Sequence, residues 1–525
     1  MCNAVVRGAR ANGIDAADGP KHLQRSNGIV RSGTGLALCL LAFVGSGRSQ
    51  PVKLTGPRSR SFPDAHLLVV TASAILVGPL GQLEEQLMRK LLLIGTALTA
   101  FSLAMPLAYA TEGGSNWNDN GGSREHSKDH DKNKTPVTFD IAIAAALAGN
   151  QGNVAGNHAS SESQAASTKI SGNSYNGSKG VSNTNQNAGA NSALQNALAV
   201  SYIQGCTTCT SGTPTTNIAA GGALAAAGNS GNVRDNSSKS HREFLGFTKT
   251  PKAGRDQDDR DDFTWTPKFG GWPAATADID SSFNSTTGVF QVNQNSGDNS
   301  LLQNSAAVAA ATNLGGQIAL GVAVGAAGNS GEVEHNKASA DHATASATIN
   351  NSFGGDTGVA NVNQNAGANS ELQNSAAVAA VTGLKGVKND LGLTLAGAGN
   401  SGEVEHNGAH SDTTSGTAAI TGSFNGNTGM VNANQNVGAN SQLQNSSAIA
   451  ALKFCGCATS NASLSVAAAG NAGGVYGNWA SAENGSNGAS MSNSFNNSTG
   501  VMQANQNAGA NSLLQNSVAV GVVLH

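Results

Sequence analysis

Aromatic residues make up only 4% of the 525-residue chain, and charged residues only 12%. An ordinary globular core wrapped in a charged shell cannot be built from that composition, since aromatic side chains supply much of the burial in such cores. Proline is confined to the front of the chain. All 11 lie at or before Pro273, and residues 274–525 contain none. A flexible low-complexity linker would not avoid proline over such a length, whereas interior sheet strands must. The constellations that carry catalysis are also missing. There is no Ser/His/Asp arrangement, no phosphate-binding glycine loop and no recurring pair of carboxylates. Neither enzyme activity nor a cofactor is expected.

What fills the chain instead is side-chain amide. Residues 363–380 read NQNAGANSELQNSAAVAA. The phrase recurs as NQNAGANSALQN at Gln186, NQNSGDNSLLQN at Gln294, NQNVGANSQLQN at Gln435 and NQNAGANSLLQN at Gln506. The steps from Gln294 to Gln364, Gln435 and Gln506 are 70, 71 and 71 residues, and the first step from Gln186 is 108, an excess of about 37. A second phrase, AGNSGEVEHN at Asn329 and Asn400, lies between the copies, with shorter relatives at Asn150, Asn229 and Asn471. The two phrases divide the 71-residue unit into half-units of about 35 residues, ten in all. One aromatic keeps the same period: Tyr175, Phe283, Phe353, Phe424 and Phe495. Fixed-period similarity of this kind marks a repeat architecture.

Each repeat is written as strand, turn, strand. TGVFQVNQN at 287–295 suits a strand, SGDN at 296–299 is turn chemistry, and SLLQNSAAVAA begins a second strand. Helix propensity alone would allow the alanine-rich ends to be helical, but their Val, Asn and Ser content and flanking Gly argue against it. If equivalent strands stack in register, each amide lies over its counterpart and the amides form hydrogen-bonded ladders, as in cross-β structure. The ladder residues are then Gln186, Gln294, Gln364, Gln435 and Gln506 in the first arm of the repeat. They continue with Asn299, Asn369, Asn440 and Asn511 in the turn, and Gln195, Gln303, Gln373, Gln444 and Gln515 in the second arm. The five aromatics form a stacked column. The expected fold is all-β, a repeat β-solenoid or cross-β stack of half-units of about 35 residues behind a disordered N-terminal leader. With each half-unit as one layer, ten layers at about 4.8 Å predict a body on the order of 50 Å long. The competing reading is a disordered low-complexity chain, and the strict register argues against it.

The front of the chain is a different text. MRKLLLIGTALTAFSLAMPLAYA at 88–110 has the form of a secretory signal peptide: basic Arg89 and Lys90, an apolar run, and an A-x-A site that predicts cleavage between Ala110 and Thr111. Residues 1–87 then read as an over-extended start, outside the mature protein. From Thr111 onward the chain holds 18 basic and 27 acidic residues, which excludes a nucleic-acid binder. Residues 111–139 read as a disordered polar leader, residues 140–236 as the first repeat unit and the start of the second, residues 237–275 as a charged insertion loop, and residues 276–525 as the remaining repeats.

Candidate sites outside the repeats are thin. His126 and His130 stand in the leader without further ligands. The acidic run from Asp256 to Asp262 lacks the Gly and closing Glu of an EF-hand calcium loop. His335 and His406 share a register, but their counterparts are Asp235 and Gly477, so no metal ladder is expected. Cys206 with Cys209, and Cys455 with Cys457, are candidate disulfide pairs for an exported chain. A zinc site would require the two pairs to meet in space.

The phrases QNAGANSAL and NQNxGxNSxLQN resemble the repeats of bacterial functional amyloid subunits. Gln186, Gly189, Asn191, Ser192, Ala193 and Leu194 are similar to the curlin frame. The longer frame GVxxxNQNxGxNSxxQNSxAVA, together with the Cys206-x-x-Cys209 pair, is closer to the Fap family of biofilm amyloids. The resemblance covers about residues 140–525. It implies export to the cell surface with the help of outer-membrane secretion and nucleator proteins, and polymerisation with further copies of the chain into a biofilm fibre. The alternative is a monomeric β-solenoid surface adhesin. A monomer needs polar capping layers, and the last copy ends in the apolar NSVAVGVVLH, which favours polymerisation.

Overall fold

The computed structural model describes residues 137–162, 165–205, 216–241, 244–251, 263–269, 274–412, 414–455 and 460–524. The signal peptide, its Ala110–Thr111 junction, the leader up to 136, the acidic run 256–262 and Cys206, Cys209 and Cys457 lie outside these residues. Every described element is a β-strand, as the Val, Asn and Ser content of the repeats required. The two arms expected from the sequence are the strands Thr287–Asn295 and Leu301–Thr312.

One 71-residue unit makes one layer. The third layer begins with an outer strand, Gly315–Glu334, followed by a corner strand, Lys337–Asp341, and a polar strand, Thr344–Asn350. It then enters an arch whose first arm is Thr357–Asn365 and whose second arm opens the long strand Glu371–Glu405. The second part of that long strand is already the outer strand of the fourth layer. Equivalent strands pair parallel, residue for residue, so Gln294 lies on Gln364 and Gln303 on Gln373. The stack therefore contains five layers, not ten. The two half-units of a repeat lie side by side within a layer, because they belong to different sheets. At about 4.8 Å per layer the five span on the order of 24 Å.

Four sheets lie face on face. Outer-strand alanines such as Ala223, Ala319 and Ala323 pack on Ala307, Ala309 and Ala311 of the second arms. The other face of the second arms packs on the first arms through Ala306, Val289 and Val359. The far face of the first arms packs on the polar strands through Val292, Ile279 and Ile349. Alanine at the first contact brings two backbones close together, which a composition poor in large side chains demands. The arch arms are covered on both faces. For that reason they do not show the simple alternation of a half-buried strand.

The extra 37 residues between the first two copies are two excursions. Asn150 and Asn229 are 79 residues apart, Asn229 and Asn329 100, and Asn329 and Asn400 71. Thirty of the extra residues fall after the corner strand of the second layer, where Ser237 to Ala274 is 37 residues against 7 from Lys337 to Thr344, and the other seven fall near Cys206. Ser237–His241 and Ala274–Asp280 pair in register with their neighbours, so both ends of the 237–275 stretch are rungs of the stack. Between them Phe244–Pro251 and Phe263–Phe269 form an antiparallel hairpin.

Candidate assembly site

The arch is shaped by backbone requirements before any side chain takes part. Asn299, Asn369, Asn440 and Asn511 hold positive φ of 51° to 54° in the turn, a conformation asparagine tolerates. Gly367 has a different task. A Cβ there would lie 2.1 Å from the carbonyl oxygen of Gly438 in the next layer, so glycine is needed for close stacking and not for its φ. The side chain of Asn365 completes the turn: its Nδ2 donates to the Gly367 carbonyl at 2.7 Å, and its Oδ1 accepts from the Gly367 N–H at 3.1 Å.

The amides then stack. Gln303, Gln373, Gln444 and Gln515 each donate through Nε2 to the Oε1 of the preceding layer, at 2.9, 2.9, 2.9 and 2.8 Å, the first acceptor being Gln195. This ladder crosses all five layers. The same Nε2 groups also reach the outer sheet, at Ser330 O from Gln303 and Ser401 O from Gln373. In the first arm the ladder is shorter. Gln364 donates to Gln294 at 3.2 Å and Gln435 to Gln364 at 3.1 Å. Gln186 instead donates to the Asp278 carbonyl, and the Oε1 atoms of Gln186 and Gln435 have no hydrogen-bond partner, so Gln186 and Gln506 are outside this ladder. In the turn, Asn299 donates to Asn369, Asn369 to Asn440 and Asn440 to Asn511, each at 3.1 Å.

The structure adds ladders that the sequence reading did not single out. Both asparagines of NQN form them. Asn363 donates to Asn293, and Asn434 to Asn363; Asn365 donates to Asn295, and Asn436 to Asn365. Asn374 of LQN donates to Asn304, and Asn445 to Asn374. Asn374 also donates to Asn363 at 2.8 Å, which ties the two arms of one arch together. In the outer sheet Asn229, Asn329, Asn400 and Asn471 form a further column with hydrogen bonds of 2.8 to 3.0 Å. Asn293, Gln303, Asn304, Asn363, Gln373 and Asn374 are all fully buried. The available signal was register itself, since these asparagines recur in every copy as faithfully as the glutamines do.

The aromatics meet as a continuous column. Tyr175, Phe283, Phe353, Phe424 and Phe495 stack with ring centroids 4.5, 4.8, 5.0 and 5.0 Å apart and planes within 7°. His335 and His406 stack at 5.2 Å at the corner after the outer strand. Among the described residues no group of three His, Cys, Asp or Glu side chains is placed to hold a metal ion. Cys455 is exposed after the second arm of the fourth layer.

Carboxylates are few and shifted by burial. Asp356 stands in the column of Thr286 and Asn427. Burial pushes its carboxyl up to about 6, against the opposing hydrogen bonds from the Thr286 N–H and hydroxyl. Asp298 is also raised by burial, opposed by hydrogen bonds from Ser238 and the Ala190 N–H. Glu332 is raised by burial and then by its neighbours Glu334, Glu403 and Glu405.

Buried in-register amides, a stacked aromatic column and a glycine at each layer-to-layer contact equip the arch to accept another identical layer. No curated protein and no solved structure matches the chain. The model of the functional amyloid protein FapB/FapC family matches residues 252–452 and 325–523, together just over half of the chain.

Proposed function

The chain belongs to the functional amyloid protein FapB/FapC family, and from that premise we propose that it is an exported structural protein that polymerises end to end into the extracellular fibres of a biofilm matrix. The observation that carries the reading is the Gln195–Gln303–Gln373–Gln444–Gln515 ladder, which reaches both end layers without a change of chemistry. A further chain stacked on Gln515 would meet the same donor and acceptor that Gln444 offers inside the stack. The partner is therefore another copy, with secretion and nucleator proteins of the outer membrane delivering and seeding it. Cleavage after Ala110 would release residues 111–525 to the outside.

The test is dilution of that segment from denaturant, followed by thioflavin fluorescence over time and fibre diffraction of the product. A lag, a rise and reflections near 4.7 and 10 Å are expected. A β-rich chain that stays monomeric for days would instead be the surface adhesin.

A further inference from the structure

The two sheets at the outside of the stack are unlike. The polar strands turn Thr276, Ser346 and Thr417 away from the core, in register with one another, and a solvated face needs nothing more. The outer strands turn aliphatic side chains away. Their inward residues are the core alanines, so the period of two places the larger residues on the far face. Ile143, Val322, Leu393 and Leu464 lie in one column, with Gly222 in the second layer. Ala145, Leu224, Val324, Leu395 and Val466 lie in the next. Ile143 and Leu464 of the end layers are 46% and 54% exposed, and Leu391, on the same face inside the stack, is 44% exposed, while Val324 is covered by its column neighbours at 9%. Parallel sheets with two apolar faces are normally covered on both.

We propose that this far face of the outer sheet docks against the same face of a second copy, so that the fibre is a pair of stacks joined sheet to sheet. The proposal rests on the fibre reading above. Two arguments select a second copy as the occupant. The first is area. Five strands of about five outward positions, each about 6.6 by 4.8 Å, present on the order of 800 Å² per chain, the size per partner of a stable interface. That is more than a monomer usually leaves exposed. Each chain added to the stack lengthens the patch, so lateral pairing strengthens with elongation. The second argument is repeat. The columns recur once per layer, and an opposing stack of the same chain matches that spacing over any length, with its side chains interdigitating as in a dry zipper. The in-register Glu332–Glu403 and Glu334–Glu405 pairs lie at one end of these strands. Like charges disfavour facing those ends together, so the strands of the two stacks run in opposite directions across the interface.

The test is mass per length of unstained fibres of the full-length chain, measured by scanning transmission electron microscopy beside their diffraction. Two chains per about 24 Å of fibre are expected, falling to one in the double variant Val322→Lys, Leu393→Lys while the reflection near 4.8 Å persists. If the lysines abolish that reflection, Val322→Thr with Leu393→Thr, whose β-branched side chains suit a strand, is judged by the same halving. Wild-type fibres at one chain per about 24 Å, or variants that stay at two, overturn the proposal. Single stacks that instead coat phosphatidylcholine vesicles overturn it too, in favour of a membrane. A wild-type chain that gives no cross-β reflection removes the fibre reading itself, a failure separate from the other outcomes.

Discussion

At Gln373 one amide serves four partners. Its Nε2 donates to Gln303, Glu371 and Ser401 O, and its Oε1 accepts from Gln444. Gln373→Ala leaves a buried acceptor on Gln303 without its donor and opens a void, at a cost of about 2–3 kcal/mol. Gln515→Ala, in an exposed end layer, is expected to cost less than half as much in the isolated chain. In fibres, where the next chain covers that layer, the two losses converge. Guanidinium midpoints of both variants in both states check this, and equal losses in the isolated chain would contradict it. Asp356 gives the stack a pH dependence. Its carboxyl lies near 6 in the fold against an ordinary 3.8, so the folded state holds the proton more tightly. The stabilisation is complete below about 3.8 and is lost as pH rises through about 6. Asp298 and Glu332 are shifted the same way. The denaturation midpoint should therefore fall between pH 4 and pH 7, and less steeply in Asp356→Asn, which copies Asn427 of the next layer. An unchanged pH profile in that variant would rule Asp356 out as a source. The glutamine ladders were legible in the sequence because amides at a strict period suggest stacking. The NQN asparagines were not, because alternation places them opposite Gln294, on what would be the solvent face of a half-buried strand. That face is covered by a further sheet.

At the scale of the element, the turn was legible as turn chemistry and its mechanism was not. Gly and Asn in Gly-Asp-Asn both tolerate positive φ, so the residue types alone do not say which of them adopts it. In the fold the asparagine takes it, and the glycine is needed because a carbonyl oxygen of the next layer lies 1.9 Å from the missing Cβ of Gly297 and 2.1 Å from that of Gly367. A single sequence read as one arch cannot contain that contact, which belongs to two layers. Gly367→Ala must push the Gly438 carbonyl away and separate the third and fourth layers at the turn. Overpacking of this kind costs on the order of 1–3 kcal/mol. The variant is expected to lengthen the thioflavin lag several-fold, with little loss of final β content. A lag equal to wild type would mean that the turns open without cost. The corner strand shows the same limit of sequence reading. Ser237–His241 carries little of the repeat's wording and reads as part of the insertion, yet it pairs with Lys337–Asp341. Its placement is set by neighbours in other layers, not by its own composition.

At the scale of the whole stack, the sequence shows two periods, about 35 and 71 residues, and only one of them is the layer. The half-unit is marked by recurring Asn-x-Gly, so it reads as the structural repeat. The fold assigns its two versions to different sheets, the outer strand carrying AGN and the arch carrying NQN. Ladder partners such as Asn329 and Asn400 are accordingly 71 residues apart. The distinction is open to a deletion experiment. Removing residues 344–414 joins Ala343 to Ser415, the residue that pairs with Thr344, and so takes out one layer while every remaining strand keeps its register. That chain should still form fibres with reflections near 4.8 Å, at about 19 Å of stack per chain in place of about 24 Å. Removing a half-unit, residues 331–365, would instead join an outer strand to a second arm and strip one layer of its first arm. The amides of Asn293 and Asn434 would then face no counterpart, and buried amides without partners are costly. This second chain is expected to fail to polymerise or to form fibres of much lower denaturant resistance. If both deletions polymerise alike, the layer is the half-unit after all. If neither does, the layers are not interchangeable, and the unlike residues buried in single layers, Asp298 and Asp356 among them, are what hold the five in order.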